Sequence, residues 1–579
     1  MAASLATADP WHGVASPRPR APWLGRLAVA LLAAATFFIL FYPIVQIGLR
    51  ALLPAGSFDL ALWRDALGAP ELLVALRNTL VLALATTAIS VPLGTFFAWL
   101  ITRTDAHAGA LSRLLPVIPL LLPPVAMAIG WLFLADPRAG FLAKPVVAAL
   151  GAAGLGFDAD ALAIQSWPGL VFLYVLWAVP HVYVLTAAAF GHLDPALEEA
   201  ARMCGKGPMR IFREVSLPSI RHAVGASALT CVISSIGLYS IAALIGTAAR
   251  IDVLAVYIYR LLNFSYPPKT GQAVVIGLLL MLLIGVLWLV QRRLAARTGA
   301  ATVGGMGARD NRITLGRWRW PARALVLGYV LLTSVLPLMA LVVVALQPFW
   351  RPVIDLQALS LDNFRDLLGD GIGREAMVHS TLLALGTSSG VVLLAGLLTV
   401  VAAGLGGKAE QALGIATKLP AAIPHIVFAV GVLIAFGFAP FDLQGGWAIL
   451  LLAYLAIYLP TASIAAESAV RQVGGQLVEA SRVFGGTPAR IFRCVQLPLI
   501  LPGLAAGWAS IFALVLGELN AAAILSGPRN PTIGYVILTL FDNGTYSQLA
   551  AIASVIGVVS AITVSLVLIL GRPRHHRGG

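Results

Sequence analysis

Apolar runs long enough to cross a bilayer recur along the whole chain, and they constrain its fold more than any other feature. They fall near 27–49, 79–101, 114–135, 168–190, 222–246 and 271–291, and after a polar stretch near 323–346, 381–405, 419–438, 447–468, 499–526 and 548–571. One span needs about 20 apolar residues. Of 579 residues, 59% are hydrophobic and 11% charged, whereas a soluble domain carries roughly 25% charged residues. The expected fold is an all-α polytopic membrane protein of about twelve transmembrane helices, arranged as two six-helix halves. The first run is too long for a signal-peptide core and lacks a clear small-residue cleavage site, so it reads as an uncleaved span. The expected division is an N-terminal tail at 1–26, a first half at 27–293, a linker at 294–322, a second half at 323–571 and a C-terminal tail at 572–579.

A formal net charge of +14 would suggest nucleic acid in a soluble protein. Here its distribution follows topology. With the N-terminus inside and the chain alternating, 27 of the 39 basic residues fall on cytoplasmic segments. That bias places both termini in the cytoplasm and accounts for the charge without nucleic acid, through orientation and contact with anionic membrane lipids. The three cysteines, Cys204, Cys231 and Cys494, show neither CxxC nor Cys/His spacing, which argues against a disulfide framework or a metal site.

An internal repeat carries the functional argument. Residues 199–218 read EAARMCGKGPMRIFREVSLP and residues 479–498 read EASRVFGGTPARIFRCVQLP, identical at twelve of twenty positions without a gap. Both lie on the cytoplasmic side, between the fourth and fifth spans of their half. Each begins in a helix-compatible run that should stop at Gly205 or Gly485. Pro208 and Pro488 suit the first turn of a second short helix, and Thr487 suits an N-cap. Arg210 with Arg213, and Arg490 with Arg493, share a face. Ile211-Phe212 and Ile491-Phe492 give the short helix an apolar side. Leu217-Pro218 and Leu497-Pro498 are expected to break it before the next span. An apolar side and a basic face suit docking into a cleft on another protein.

This pattern resembles the EAA loop of permease subunits of binding-protein-dependent ABC importers. It is matched at Glu199, Ala200, Ala201, Gly205, Leu217 and Pro218, and again at Glu479, Ala480, Ser481, Gly485, Leu497 and Pro498. The departures are Ser481 for the second alanine and valine at 215 and 495 for the usual isoleucine. The resemblance extends over two permease domains, from about Asn78 to Gln291 and from Ser380 to Leu570, in a fused layout similar to the ferric-iron importer permeases and their aminoethylphosphonate and thiamine relatives. The segment LGRWRWPA at 315–322 is similar to the iron-type members. The resemblance implies the type I importer permease fold in a prokaryotic inner membrane. It also implies coupling helices that include Arg210, Arg213, Arg490 and Arg493, seated on two separate ATPase subunits that bind ATP and Mg. A periplasmic or lipid-anchored solute-binding protein would deliver the cargo, with ferric iron the expected substrate.

The chain itself has no GxxxxGK[ST] loop, HExxH, GxSxG or evident acid/base carboxylate pair, so no catalytic residues and no cofactor are expected on it. Ionisable and polar groups within spans are the candidates for the path. Glu518 stands in Gly517-Glu518-Leu519-Asn520, and the offset of the repeat aligns this with Gly237-Leu238-Tyr239-Ser240. Ser234, Ser235, Tyr239, Ser240, Glu518 and Asn520 are the expected path residues. The other reading makes Glu518 a brace between helices and ties the serines to their own backbone. His181 and His425, each following a proline, are further solute-contact candidates. Proline runs at 116–124 and 420–424 interrupt matching spans, and broken helices at matching places can mark a pathway. The rival class is an ion-coupled secondary transporter, but the spans offer few coupling-ion groups beyond Glu518, and the Gly/Asp/Arg-rich loop of such proteins is absent from 101–113.

Overall fold

In the computed structural model the chain is described from 23 to 570, apart from residue 55, residues 107–114, 143–144, 147, 149–162, 299–311, 370, 406 and 473–474. Among the described residues there is no β-strand, only isolated bridges pairing Thr104 with Ile313 and Gly527 with Asn530. The C-terminal tail and most of the N-terminal tail lie outside the described residues. The expected linker is helical at both ends, because Thr270–Thr298 runs into it and Gly316–Trp318 opens the following helix.

Nine described helices are long and apolar enough to cross a membrane, or ten if the pair Pro208–Ser219 and Arg221–Gly237, bent by 77°, counts as one. These account for ten of the twelve expected spans. The third and ninth are not single long helices. At 114–135 a 3-10 stretch, Leu115–Leu121, leads into the 12-residue helix Pro124–Ala135. At 419–438 Leu419–Ala422 leads likewise into His425–Phe436. The repeated prolines of both lead-ins remove N–H donors and weigh against a continuous helix. Each twelve-residue helix alone rises about 18 Å, short of the ~30 Å hydrocarbon core, so each of these segments needs its lead-in as well as its helix to reach across.

Each half packs its first helix on the other half's short one. On Trp23–Leu52, Ile47 lies where a Cβ on Gly431 would come within 2.7 Å. Pro337, on Leu336–Leu346, lies where a Cβ on Gly130 would come within 2.6 Å, and the Trp131 indole donates to the Leu332 carbonyl at 3.0 Å. Small residues at such crossings let backbones approach closely, which gives helices in lipid their packing energy.

The fifth and eleventh spans stop early, at Gly237 and Leu516, and the chain opens before the short turns Ala242–Gly246 and Ala522–Leu525. Both openings face the other half's proline. A Cβ on Gly237 would lie 3.5 Å from Pro424, and one on Gly517 would lie 2.7 Å from Pro123. The Tyr174 hydroxyl donates to the freed Leu238 carbonyl at 2.8 Å. The proline runs and the glycines therefore belong to one feature, the seam where the halves meet.

Candidate functional site

The first protruding loop is built from the helix Pro195–Met203, capped by Asp194, whose carboxylate accepts from the Ala196 N–H at 2.9 Å. It ends on Gly205 at φ +76°, with Gly205 N–H donating to Arg202 O at 2.9 Å and Lys206 N–H to Ala201 O at 3.1 Å. That double closure needs a left-handed residue after the cap, which glycine supplies. The second loop repeats it on Gly485 at φ +78°, with Gly486 N–H donating to Ser481 O at 3.0 Å. Thr487 accepts from the Arg490 N–H at 3.4 Å.

Beyond the turning glycine the backbone departs from expectation. The short helices Pro208–Ile211 and Pro488–Ile491 widen into π turns, Phe212–Ser216 and Phe492–Gln496, directly ahead of each Leu-Pro pair. A third π turn, Leu331–Val335, precedes Leu336-Pro337 in the same way. A proline ring clashes with the carbonyl four residues back, and one extra residue in the turn relieves it. The Leu-Pro pairs are therefore accommodated rather than breaking the helix. The second copy continues to Leu516, and the first bends only beyond Ser219.

The docking face is also corrected. Ile211 and Ile491 are buried within this chain, and Phe212 packs on Trp99 and Phe96 at 4.9 and 5.8 Å between ring centroids. The exposed apolar groups are Met203 at 89% and its repeat partner Val483 at 83%, with Phe484 at 90%. They sit at the helix tip, just before the turning glycine. Around them Ala200, Gly205, Arg210, Arg213 and Pro218 are exposed, as are Glu479, Ala480, Gly485, Arg490, Arg493 and Pro498. Glu199, Leu217, Ser481 and Leu497 are half-buried, and Ala201 is buried. Lys206 bonds Glu214 at 2.7 Å and holds its carboxyl below the ordinary carboxylate range.

Glu198, adjacent to the motif glutamate, makes a buried ion pair. It is 1% exposed and binds Arg103 through Nη2 at 2.5 Å and Nε at 2.9 Å, while the Ser216 hydroxyl donates to its other oxygen at 2.6 Å. Arg103 ends the helix Pro70–Arg103, and the next residues hold the returning linker. Ile313 N–H donates to Arg103 O at 2.8 Å, Leu315 N–H to Asp105 Oδ1 at 2.9 Å, and the Arg323 guanidinium to Asp105 O and Ala106 O at 3.1 and 3.0 Å. The second loop has no such brace in its sequence: Val478 stands in place of Glu198, and the matching helix end, residues 402–405, reads Ala-Ala-Gly-Leu. That Glu-to-Val exchange between the repeats is the signal by which a buried position could have been read in advance.

Between the halves lies a cavity of about 610 Å³. Of the expected path residues, Ser234, Ser240, Glu518 and Asn520 line it, joined by His181 and His425. Ser235 and Tyr239 do not; they are buried, with the Tyr239 ring against Tyr259 at 5.3 Å. Glu518, 6% exposed, receives the Ala521 N–H on Oε1 at 3.1 Å and faces His425 Nδ1 at 3.2 Å and the Tyr458 hydroxyl on Oε2. The carboxylate thus braces the opened helix and lines the cavity at once. Tyr458, which sequence reading missed, stands one helical turn beyond buried Tyr454.

The family profile described as "Binding-protein-dependent transport system inner membrane component" matches this chain twice, at residues 90–299 and 392–572. An Fe(3+)-transport system permease protein of Haemophilus influenzae is 22% identical over 541 residues, covering 90% of this chain and 96% of the relative. A ferric transport system permease protein of Actinobacillus pleuropneumoniae is also 22% identical, over 90% of this chain and 75% of its own length. A spermidine/putrescine transport system permease protein of Haemophilus influenzae is 26% identical over 35% of this chain and 78% of the relative.

Proposed function

Since this chain belongs to the inner membrane components of binding-protein-dependent transport systems, and is thus a multi-pass ABC importer permease, we propose that its two loops each seat on one of two ATPase subunits and that it imports ferric iron. The observation that carries the coupling role is the pair of matched protrusions, each offering exposed apolar side chains beside a basic face: Met203 with Arg210 and Arg213, and Val483 and Phe484 with Arg490 and Arg493. Clustered, exposed apolar groups that the described residues of their own chain leave uncovered mark a protein contact. ATP and Mg bind on the partner subunits, whose closure draws the protrusions together. A periplasmic or lipid-anchored binding protein delivers cargo from the other side, and both termini lie in the cytoplasm. The ferric reading comes from the two relatives that span nine-tenths of the chain.

Two exposed native thiols provide the test. Cys204 and Cys494 both sit on the protrusions, so a short thiol crosslinker should join each to a nucleotide-binding subunit in membranes, more readily with ATP bound. Glu199→Lys combined with Glu479→Lys should abolish ATP-driven uptake and release the ATPase while the permease remains at normal abundance. Full uptake and unchanged association in that double variant would remove the coupling role, as would uptake at full speed by the permease reconstituted alone.

A further inference from the structure

The cavity between the halves carries few charged groups. Among its described lining residues there is no lysine or arginine, and Glu518 is the one carboxylate. An anionic cargo would find no lysine or arginine to receive it among these residues, only a carboxylate already held by His425 and Tyr458, in surroundings where charge is weakly screened. Four polar side chains of the second half gather on this wall: the Glu518 carboxylate, the Tyr458 phenol, the His425 imidazole and the Asn520 amide. Three of them already converge, with Tyr458 and His425 both on Glu518 Oε2. The Asn520 Oδ1 is buried without a hydrogen-bond partner among the described residues, and an unsatisfied buried carbonyl oxygen is costly unless something occupies it. Among the described residues no three His, Cys, Asp or Glu form a metal cluster, so a metal held here would draw also on the phenol and amide oxygens of Tyr458 and Asn520, which line the same cavity.

Resting on the ferric reading above, we propose that Glu518, Tyr458, His425 and Asn520 form a transient relay site for a hard, highly charged metal cation during its passage between the halves. Carboxylate, phenolate and amide oxygens with one imidazole suit such an ion, whereas soft thiolate and thioether donors are missing from the described lining. On binding, the ion replaces the two hydrogen bonds on Glu518 Oε2; the Tyr458 phenol gives up its proton to cavity water, and the proton that His425 holds on Nδ1 passes to the same water, with Nε2 keeping or taking up one, so the metal stays in its oxidation state and only protons move. Four protein donors leave the coordination shell of a six-coordinate ion incomplete. Incomplete capture is what a path requires, since binding must be weak enough for release. The Ala521 N–H on Oε1 fixes the carboxylate while Oε2 exchanges partners.

The test uses the whole importer, with its ATPase and binding protein, in proteoliposomes. Glu518→Gln keeps the shape and Tyr458→Phe keeps the ring, and each should slow radiolabelled ferric uptake by about tenfold or more, the loss typical when a metal's supporting groups are removed. Binding-protein-stimulated ATP hydrolysis should continue in both, so the defect separates from assembly. Ferric iron added to the purified complex should give a phenolate-to-iron charge-transfer band that Tyr458→Phe abolishes. Ferric uptake at the unaltered rate in both variants, with no band in the parent complex, overturns the site and leaves the ferric reading standing. A parent importer that moves no ferric iron overturns both.

Discussion

Met203→Asp combined with Phe484→Asp will leave a permease that reaches the membrane in normal amounts but no longer retains its ATPase subunits. Both side chains stand almost wholly in solvent, at 89% and 90% exposure, so among the described residues no packing depends on them. In the proposed complex they become the buried anchors of two small interfaces. A buried apolar anchor is worth about 2–4 kcal/mol on truncation, which corresponds to roughly thirty- to a thousand-fold in affinity at each tip. A carboxylate in the same pocket adds its own desolvation cost. Because the fused chain presents both protrusions together, loss at both ends also removes the advantage of two linked contacts. The measurement is co-purification of the ATPase in detergent, together with the rate of ATP-driven uptake in vesicles. Retention of the ATPase at the parental level would move the interface away from the helix tips, back towards the basic face of Arg210, Arg213, Arg490 and Arg493.

The second large effect lies beneath the first protrusion. Arg103→Met alone will lower thermal stability and uncouple ATP hydrolysis from uptake, because it strands the Glu198 carboxylate at 1% exposure with, among the described residues, only the Ser216 hydroxyl bonded to it. Breaking one member of a buried pair costs about 3–5 kcal/mol, whereas replacing both by apolar residues of similar volume is often neutral. Arg103→Met combined with Glu198→Val should therefore recover most of the lost stability. The protein supplies a precedent in its own second loop, where Val478 takes the place of Glu198. A melting series over the parent, both single variants and the double variant measures the coupling between the two sites directly. A double variant no better than the worse single one would show that the pair is not acting as one unit. Coupling efficiency is a separate readout. The Arg103 helix end also holds the returning linker through Ile313, Leu315 and, at Asp105 and Ala106, Arg323. The pair thus ties the first protrusion to the helix that opens the second half.

Much of this architecture was legible from residue order because its causes are local. A span announces itself by twenty apolar residues in a row, and a turning glycine by its place after a helix-compatible run. Gly205 and Gly485, both left-handed as expected, show how far such a rule reaches. Two of the expected spans are not continuous helices, for an equally local reason: the proline runs at 116–124 and 420–424 cost each segment backbone donors. The Leu-Pro pairs misled because a helix can absorb a proline by widening, an option that composition does not reveal.

The sequence by itself determined that this chain spans a membrane many times, that its halves are copies, and that each copy carries the same helix–turn–helix loop, since hydropathy, repetition and turn chemistry are properties of neighbouring residues. The tertiary structure alone decided which face each side chain presents. It buried Ile211 and Phe212 and exposed Met203, Val483 and Phe484. It paired Arg103 with Glu198 across 95 residues, and it brought Tyr458, His425 and Glu518 onto one cavity wall. Those outcomes depend on how helices distant in sequence cross and bend, and a chain's periodicity specifies a helix's apolar stripe without specifying what will lie against it.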